Sequence, residues 1–395
     1  MPRFDIITVG GGLGGSAIAK VMCERGAKVL VLEQELLFRD RVRGELLVPW
    51  GVAELRELGL LETFRTAGAC EVPWLDLGTG PRDLVATTPQ RLPALTYSHP
   101  QIQEALIDAA QKAGAEVRRG VAVQGIQPGA DPTVECKGNG SVERITGRLI
   151  VAADGRNSAA RKWAGFKSQR DEHPFLVAGV LLSDVSARED LCSIIFNPNS
   201  GTATFAFPQG NGRFRTYLSY PMSAEYRIQG KEKLALYLAE SVKAAPAFAG
   251  FYANAKDCGP LASFDSNDSW IEHPYRDAVA LIGDAAATSD PTYGQGMSLT
   301  LRDVRVLRDQ LSSVSDWDRA GHRYAQQHDT YFANCHTVSG WFRHIFQEQT
   351  PAAAVQRQKA MPLIAQDPTR IPDHLNSGPD LPVDETIQLR FFGEC

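Results

Sequence analysis

The stretch IITVGGGLGG, residues 6–15, decides the fold of this chain. Its first four residues form a β-rich run, and the glycines that follow have the spacing G-x-G-x-x-G at the start of a segment of helical spacing over 13–25. A second β-rich run over 28–32 is followed by the acidic Glu33, about 20 residues after the first glycine. This order of strand, glycine turn, helix, strand and acid predicts a βαβ unit that binds a dinucleotide.

The glycines of this turn each have a physical reason. Gly10 permits the tight turn, Gly12 lets the backbone approach a pyrophosphate, and Gly15 allows the helix to pack closely, while the helix N-terminus supplies the positive end of a dipole. Glu33 would accept hydrogen bonds from the hydroxyls of an adenosine ribose. The motif alone does not distinguish NAD from FAD. The dinucleotide contacts predicted here are Gly10, Gly12, Leu13, Gly14, Gly15, Glu33 and Gln34.

Composition bounds the class of protein. The chain has 395 residues, 43% hydrophobic and 22% charged, as expected for a globular enzyme and not for a disordered or collagen-like chain. The net charge of -5 comes without a block of like charges, so we expect no nucleic-acid partner. No apolar run reaches the roughly 18 residues of a membrane span. Seven scattered cysteines without C-x-x-C, and a start that lacks a signal-peptide pattern, favour reduced thiols and a cytoplasmic location.

The rest of the chain divides by pattern. The middle, about 170–265, alternates β-rich segments with turn signals, and 202–207 and 214–220 form a candidate hairpin around Pro208-Gln209-Gly210-Asn211-Gly212. This part predicts an antiparallel layer. Outside it the patterns predict a helix over 100–114, strands over 116–123, 148–153 and 277–282, helices over 298–311 and about 317–347, and a proline-containing tail from Pro351.

Two later segments carry a resemblance to a known family. Asp154-Gly155-Arg156-Asn157-Ser158-Ala159-Ala160-Arg161 resembles the D-G-x-x-S-x-x-R motif of the class A FAD-dependent monooxygenases, the para-hydroxybenzoate hydroxylase-like aromatic hydroxylases. Gly283-Asp284-Ala285-Ala286 and Pro291-Thr292-Tyr293-Gly294-Gln295-Gly296 are similar to that family's G-D segment and its P-x-x-G-Q-G continuation. With the N-terminal motif, the three segments stand in the family's order.

The resemblance implies FAD as the cofactor and an α/β fold: a glutathione-reductase-type, Rossmann-like FAD-binding domain, an inserted antiparallel β-sheet substrate domain and C-terminal helices. The implied ranges are 1–73, 98–169 and 266–316 for FAD, 74–97 and 170–265 for substrate, and 317–395 for a helical segment and tail. Asp284 would bind a ribityl hydroxyl, and Pro291 would border the site where oxygen reacts. The further cofactor contacts implied are Arg41, Arg43, Gln103, Val123, Asp154, Gly155, Asp284, Pro291, Gly294, Gln295, Gly296 and Met297.

The implied function is a monooxygenase that hydroxylates or epoxidises an aromatic or electron-rich small organic molecule. O2 and NAD(P)H would be cosubstrates, the oxygen would pass through a flavin C4a-hydroperoxide, and a separate flavin reductase is left open as the electron source. No side chain is assigned as a catalytic acid or base. A reductase of the prenyl-reductase or halogenase branch is an alternative, because residues 43–49 resemble G-E-x-L-x-P; a flavin-free lipid-binding relative of this architecture is a non-enzymatic alternative.

Two departures from the family pattern bear on these alternatives. Ala287 stands where many members have a histidine, which removes a possible polar contact beside Asp284. No two tryptophans stand two residues apart, so the W-x-W-x-I-P pattern of tryptophan-type halogenases is absent from the sequence and halogenation is disfavoured.

The predicted hairpin carries the candidate substrate residues. Side chains alternate between the two faces of a strand, so Phe205 and Phe207 share one face, and Tyr217 shares a face with Arg215 on the partner strand. We expect Phe205, Phe207 and Tyr217 to line an apolar substrate pocket, although core packing of each is the commoner role for such residues. The histidines have no metal-binding spacing, and no metal site is predicted.

Overall fold

The computed structural model describes residues 4–138, 141–172, 175–224 and 226–395. The remaining residues, which the predicted domain ranges include, lie outside the described part. The strands are β1 (Phe4–Val9), β2 (Val29–Glu33), β3 (Leu46–Leu47), β4 (Cys70–Val72), β5 (Trp74–Asp76), β6 (Pro81–Asp83), β7 (Ala94–Thr96), β8 (Glu116–Arg119), β9 (Ala122–Gln127), β10 (Thr133–Gly138), β11 (Ser141–Ala152), β12 (Ser168–Arg170), β13 (Phe175–Ser183), β14 (Leu191–Asn197), β15 (Thr202–Pro208), β16 (Phe214–Pro221), β17 (Lys256–Asp257), β18 (Ala262–Asp265), β19 (Ser269–Ile271), β20 (Tyr275–Arg276), β21 (Val279–Leu281) and β22 (Ala287–Thr288).

The helices follow the order of the predicted elements. They are α1 (Leu13–Cys23), α2 (Pro49–Glu57), α3 (Leu61–Thr66), α4 (Leu84–Thr87), α5 (His99–Lys112), α6 (Ala160–Trp163), α7 (Leu234–Ala244), α8 (Ala249–Tyr252), α9 (Gly296–Ser313), α10 (Trp317–Phe346), α11 (Pro351–Gln366), α12 (His374–Ser377) and α13 (Glu385–Phe392). Short 3-10 turns lie at Lys231–Lys233, Pro246–Phe248, Gly283–Ala285, Pro291–Tyr293 and Pro368–Arg370.

The central sheet is the predicted dinucleotide-binding layer. Strands β8, β2, β1, β11 and β21 run parallel in that order, and β20 adds an antiparallel edge. Neighbouring residues of β1 point to opposite faces: Ile6 packs in the core that includes α1, α5 and α9, and Ile7 packs in the core under the β9–β10–β11 meander. Both side chains are fully buried. A parallel sheet covered on both faces explains why these strands read as continuous apolar runs.

A second sheet of eight strands forms the predicted antiparallel layer, with one parallel pairing, between β14 and β5. Its order is β17-β13-β16-β15-β14-β5-β6, with β18 also paired to β13. The predicted hairpin is present, because β15 and β16 pair antiparallel with Phe205 opposite Tyr217. The fold class predicted from sequence is therefore confirmed.

The segment from Pro351, predicted as a proline-containing tail, is mostly helical. Pro351 stands in the first turn of α11, where the absent N–H would have no helical acceptor, and the Thr350 side chain accepts the Ala353 N–H at 3.2 Å. Pro368, at the start of the Pro368–Arg370 turn, acts in the same way. Proline is compatible with the first turn of a helix, so the proline content of this segment does not argue against its helices.

Candidate functional site

The three sequence motifs meet at one edge of the central sheet. Val9, Ala152 and Leu281 are neighbours in the register of β1, β11 and β21, and all three strands end there. Because parallel strands present their carboxyl ends at the same edge, the segments that follow them are brought together around one cavity of about 1410 Å³. A pocket for one drug-sized molecule is roughly 300–1,000 Å³, so this cavity has room for a cofactor and a substrate.

Most of the predicted cofactor residues line this cavity. Gly15 and Gln295 do not. Those that do are Gly10, Gly12, Leu13, Gly14, Glu33, Gln34, Arg41, Arg43, Gln103, Val123, Asp154, Gly155, Asp284, Pro291, Gly294, Gly296 and Met297.

The glycine turn leaves space only for backbone. Gly10 has φ +97°, in the region that favours glycine, and a Cβ on Gly15 would overlap the Gly10 carbonyl oxygen. Gly15 therefore acts behind the cavity, by letting α1 approach the end of β1. A Cβ on Gly12 would stand 3.4 Å from Gln103 Nε2, so this turn and the face of α5 form the two sides of a narrow part of the cavity.

Two helices begin at the cavity with unsatisfied amide groups. The N-cap of α1 is Gly12, which has no side chain, and within the described residues no side chain caps α9 after Gln295. Amide groups at such helix ends bind anions and developing negative charge. Asp154 adds a buried carboxylate oxygen, Oδ1, that has no hydrogen-bond partner among the described residues. Two uncapped helix ends and an unpaired carboxylate around one cavity fit a ligand that carries both phosphates and hydroxyl donors.

Glu33 is held in place by backbone amides. Its Oε2 accepts the Gly11 N–H at 2.6 Å and its Oε1 accepts the Glu35 N–H at 2.8 Å. The residue is almost completely buried yet lines the cavity. Each carboxylate oxygen can accept a further hydrogen bond, so this orientation suits a diol such as a ribose.

The turn that carries Asp284 is fixed from behind by a buried network. Asp303 on α9 accepts the Gly283 N–H at 2.7 Å through Oδ2, and its Oδ1 lies 3.0 Å from His328 Nδ1 and accepts the Tyr331 hydroxyl. Gly283 has φ +59°, a conformation that side chains disfavour. The sequence motif identified the turn, but not Asp303, which has no motif of its own in the sequence analysis.

Arg41, Arg43 and Gln295 differ in what they contact. The Arg41 side chain is 63% exposed and pairs with Glu35 at 2.7 Å, whereas Arg43 lies over the Phe264 ring at 5.2 Å. Burial, and then the positive charge of Arg156, lower the pKa of Arg43. The Gln295 side chain points away from the cavity: it donates to the Tyr293 and Leu375 carbonyls and accepts the Trp50 indole N–H.

The predicted substrate residues form part of an aromatic wall of the same cavity. Phe205, Phe207 and Tyr217 line it and are each at least 93% buried. Ring centroids of Tyr217 and Phe207 are 6.0 Å apart, and those of Phe207 and Phe205 are 6.2 Å apart. Phe196 continues the row at 6.4 Å from Phe205 and stacks on Phe346 at 5.1 Å.

At the Tyr217 end of this wall lies a buried charged cluster that sequence reasoning did not find. The Tyr217 hydroxyl donates to Glu45 Oε2 at 3.3 Å, and Arg215 pairs with Glu45 and, at 2.7 Å, with Asp40. Burial raises the pKa of Glu45 to about 7, against the lowering effect of Arg215. Burial also raises the pKa of Tyr217. The sequence did indicate that Arg215 and Tyr217 share one face of their strand. It did not indicate their partner, because Glu45 is remote from them in the chain.

His99 also lines the cavity, and like Glu45 it was not predicted as a site residue from the sequence. Its Nδ1 lies 2.8 Å from the Gly44 carbonyl, so Nδ1 carries a proton, and burial lowers the pKa of the ring. A neutral imidazole therefore presents Nε2 as an acceptor. His99 precedes Gln103 by one turn of α5, and both line the cavity.

One group of potential metal ligands occurs among the described residues, namely Asp171, Asp268 and His336. His336 lies 2.5 Å from Asp171, and the buried Arg343 donates to Asp268 at 2.8 Å. Arg343 already supplies positive charge to this group, behind the Pro291 turn. In the described part of the chain no helix is both long and apolar enough to cross a membrane.

Comparison with known proteins assigns the family. A family model described as an FAD binding domain matches residues 3–341. The 6-methylpretetramide 4-monooxygenase of Streptomyces rimosus is 30% identical over 323 residues, which are 76% of this chain and 73% of that protein. The chain belongs to the FAD-dependent monooxygenases. A second relative of this family, the rifampicin monooxygenase of Streptomyces venezuelae, is 29% identical over 85% of this chain and 69% of its own length.

Solved structures show the same fold. The p-nitrophenol 4-monooxygenase PnpA from Pseudomonas putida has a TM-score of 0.79 at 19% identity, over 94% of this chain and 96% of that one. The flavin-dependent halogenase CmlS has a TM-score of 0.78 at 18% identity, over all of this chain and 78% of that one. At such identities the likeness concerns fold alone. The family assigns the chain as an oxidoreductase enzyme with FAD as its cofactor, in agreement with the uncapped helix ends and the unpaired Asp154 oxygen.

Proposed function

We propose that this FAD-dependent monooxygenase hydroxylates a large aromatic, electron-rich substrate with O2, using NAD(P)H as the reductant. The observation that carries the proposal is that one cavity joins the FAD motifs to the aromatic wall. Asp284 and Gly296 line the same space as Phe205 and Phe207. The two Streptomyces relatives are named as monooxygenases of rifampicin and of 6-methylpretetramide, which supports an organic substrate.

The cofactor, when bound and reduced, supplies the activation of O2 for transfer of one oxygen atom. The chain supplies position and environment. We assign to Gly10, Gly12 and the N-terminus of α1 the binding of the pyrophosphate, and to Glu33 the binding of the ribose. Asp284 would bind a ribityl hydroxyl, and the uncapped N-terminus of α9 would stabilise negative charge on a bound flavin.

The aromatic wall has two roles in this proposal. It holds a flat substrate by burial of apolar surface, which contributes about 25 cal/mol per Å². It also keeps water away from the reacting oxygen, because Phe196, Phe205 and Phe207 offer no hydrogen-bonding group to a solvent molecule. Pro291 borders the same space without an amide N–H that could donate a hydrogen bond there.

The Glu45 cluster gives the substrate end of the cavity a group that exchanges a proton near neutral pH. Tyr217 donates to Glu45, so its oxygen can still accept a hydrogen bond from a hydroxyl on the substrate. With a pKa of about 7, Glu45 can hold the proton that leaves through Tyr217. Arg215 balances the charge when Glu45 is ionised.

Oxygen consumption tests this function. The purified protein, loaded with FAD, is mixed with NADPH or NADH and with candidate phenols and fused-ring aromatics. O2 uptake that matches the formation of a product with one added oxygen atom is expected. O2 uptake that yields only hydrogen peroxide with every candidate, or turnover without O2, would contradict a monooxygenase and favour the reductase alternative. If the FAD is reduced only when a flavin reductase is added, a separate reductase, and not NAD(P)H acting on this chain, is the electron source.

Halogenation is a second candidate because of the shared fold with CmlS. The same reactions run with added chloride or bromide separate the two, since a halogenase forms a product that carries the halogen. Epoxidation is distinguished from hydroxylation by the structure of the oxygenated product. The cytoplasmic location and the domain ranges remain predictions.

A further inference from the structure

We propose that the C-terminal segment 351–390 forms the substrate-selecting wall of the cavity, shaped for a large, planar molecule with an apolar face. The inference rests on the proposed function and names the part of the chain that decides which aromatic substrate fits. The family model ends at residue 341, so this segment lies beyond the residues that identify the family. Selectivity for one substrate then resides outside the FAD-binding motifs.

The segment faces the cavity with apolar side chains. Met361 and Ile364 are three residues apart on α11 and line the cavity together, as the geometry of a helix face requires. Further along, Ile371 and Leu375 line it from the turn before α12 and from α12 itself. Leu381 and Ile387 complete an apolar surface, and the same segment also brings the polar side chains of Arg370, Asp373, His374 and Arg390 to the cavity.

Aromatic rings of the sheet and of α10 provide further surfaces of the same cavity. Phe196 stacks on Phe346 with an interplanar angle of 27° and on Tyr293 with an angle of 18°. Ile364 belongs to the same buried cluster as Tyr293 and Phe342, so the C-terminal segment and the aromatic rings form one packed core at the edge of the cavity. A space between flat rings and branched aliphatic side chains selects a planar, apolar molecule.

Ion pairs and hydrogen bonds hold this wall at a set distance from the rest of the site. Arg82 on β6 binds both carboxylate oxygens of Asp373, at 2.6 and 2.9 Å, and both residues line the cavity. Arg302 on α9 binds both oxygens of Asp380, at 2.9 and 2.8 Å. Bidentate pairs of this kind fix orientation as well as distance. The width available to a substrate is thus determined by anchored elements and not by a loose end of the chain.

Gln295 connects the wall to the cofactor turn. Its Nε2 donates to the Tyr293 carbonyl at 2.7 Å and to the Leu375 carbonyl at 3.2 Å. The backbone of Leu375 is therefore positioned by the same residue that precedes α9. A substrate held against Leu375 is held relative to the start of that helix, where the flavin ring is proposed to lie.

The test measures binding of two probe compounds to the FAD-loaded protein, without turnover. The probes are 2-naphthol, with two rings, and 1,8-dihydroxyanthraquinone, with three, and binding is followed by quenching of flavin or protein fluorescence. Met361 is half-buried at the cavity, so Met361→Trp fills space there. We expect it to weaken binding of the three-ring probe about tenfold, as overpacking of a filled site does, and to change 2-naphthol binding less than twofold.

Val355→Trp is the matched control, because Val355 lies on the same helix and is 56% exposed. It should leave both dissociation constants unchanged. Ile371→Trp repeats the test from outside α11, in case the tryptophan at 361 prevents folding, and melting temperatures of all variants report on folding. FAD affinity should be equal in all of them.

The outcomes separate this inference from the proposed function. A wild-type protein that takes up no FAD contradicts the function itself. If FAD is held but Met361→Trp and Ile371→Trp bind the three-ring probe as the wild type does, only the role of the C-terminal wall is overturned. If the FAD-loaded wild type binds 2-naphthol as tightly as the three-ring probe, or binds neither, the inferred substrate size is overturned while oxygenation of another aromatic stays testable.

Discussion

Replacement of Gly15 by alanine should separate the two requirements of the dinucleotide turn, folding and cofactor binding. The added Cβ would overlap the Gly10 carbonyl oxygen and stand 3.0 Å from its carbon, and Cβ atoms essentially never approach other atoms that closely. The obstacle is backbone, which cannot rotate away as a side chain can. The turn must therefore open by about 1 Å, a shift that belongs with overpacking costs of about 1–3 kcal/mol.

The opened turn should lose FAD before it unfolds. Gly10 and Gly12 line the cavity on the other side of this contact, so a shift of the turn moves their amides relative to a bound pyrophosphate. A loss of about 2.8 kcal/mol in binding free energy corresponds to a hundredfold weaker dissociation constant. We expect that change in a fluorescence titration of the FAD-free protein with FAD, together with a lower melting temperature.

Gly340→Ala is the control for the general effect of adding a methyl group. Gly340 lies within α10, and a Cβ there meets no atom within 4 Å. Alanine favours a helix over glycine by roughly 0.5–1 kcal/mol, so this variant should melt at the same or a higher temperature and bind FAD as the wild type does. If Gly15→Ala binds FAD as tightly as Gly340→Ala, the placement of the cofactor at this turn is wrong.

Three further changes test other parts of the site. Since the pKa of Glu45 is raised to about 7 in the folded protein, its contribution to stability is full below about pH 4.5 and lost as the pH rises through 7. Glu45→Gln should therefore reduce the change in melting temperature between about pH 5 and 8. A melting temperature that depends on pH as in the wild type would refute this reasoning. Asp303→Asn should weaken FAD binding about tenfold by loosening its hydrogen bond to Gly283, a change that titration of the FAD-free variant would detect or exclude. Asp284→Ala should also lower FAD retention during gel filtration, and full retention would remove it from the cofactor site.

The parts of the fold that sequence predicted share one property, namely local signals that are strong enough without tertiary context. Glycines at fixed offsets before a helix identify a dinucleotide turn because few residues besides glycine can adopt φ +97° at Gly10. The β15–β16 hairpin was predicted because its turn residues and its alternation agree. Asp154 and Asp284 were each predicted as cofactor contacts from their motifs, and the strand register explains why both line one cavity.

The parts that sequence missed depend on contacts between remote residues. Glu45 has nothing in its neighbourhood in the chain that indicates a partner, and its pairing with Arg215 arises only when the second sheet packs over the loop after β2. The helices from Pro351 onward were not predicted for a different reason. Pro351 and Pro368 stand in the first turn of a helical element, where proline is tolerated, whereas Pro362 lies inside α11, and position in a helix is not visible from composition.

Gln295 shows that a motif residue predicted to contact the cofactor can also hold another part of the site in place. The segment P-x-x-G-Q-G was assigned to the cofactor as a whole, and Pro291, Gly294 and Gly296 do line the cavity. The Gln295 side chain is instead fully occupied by Trp50 and by the carbonyls of Tyr293 and Leu375. A residue in that position links the start of α9 to the wall against which a substrate would lie. Cofactor position and substrate position are then set by the same hydrogen bonds, so a change at Gln295 should alter selectivity among aromatic probes as well as the affinity for FAD.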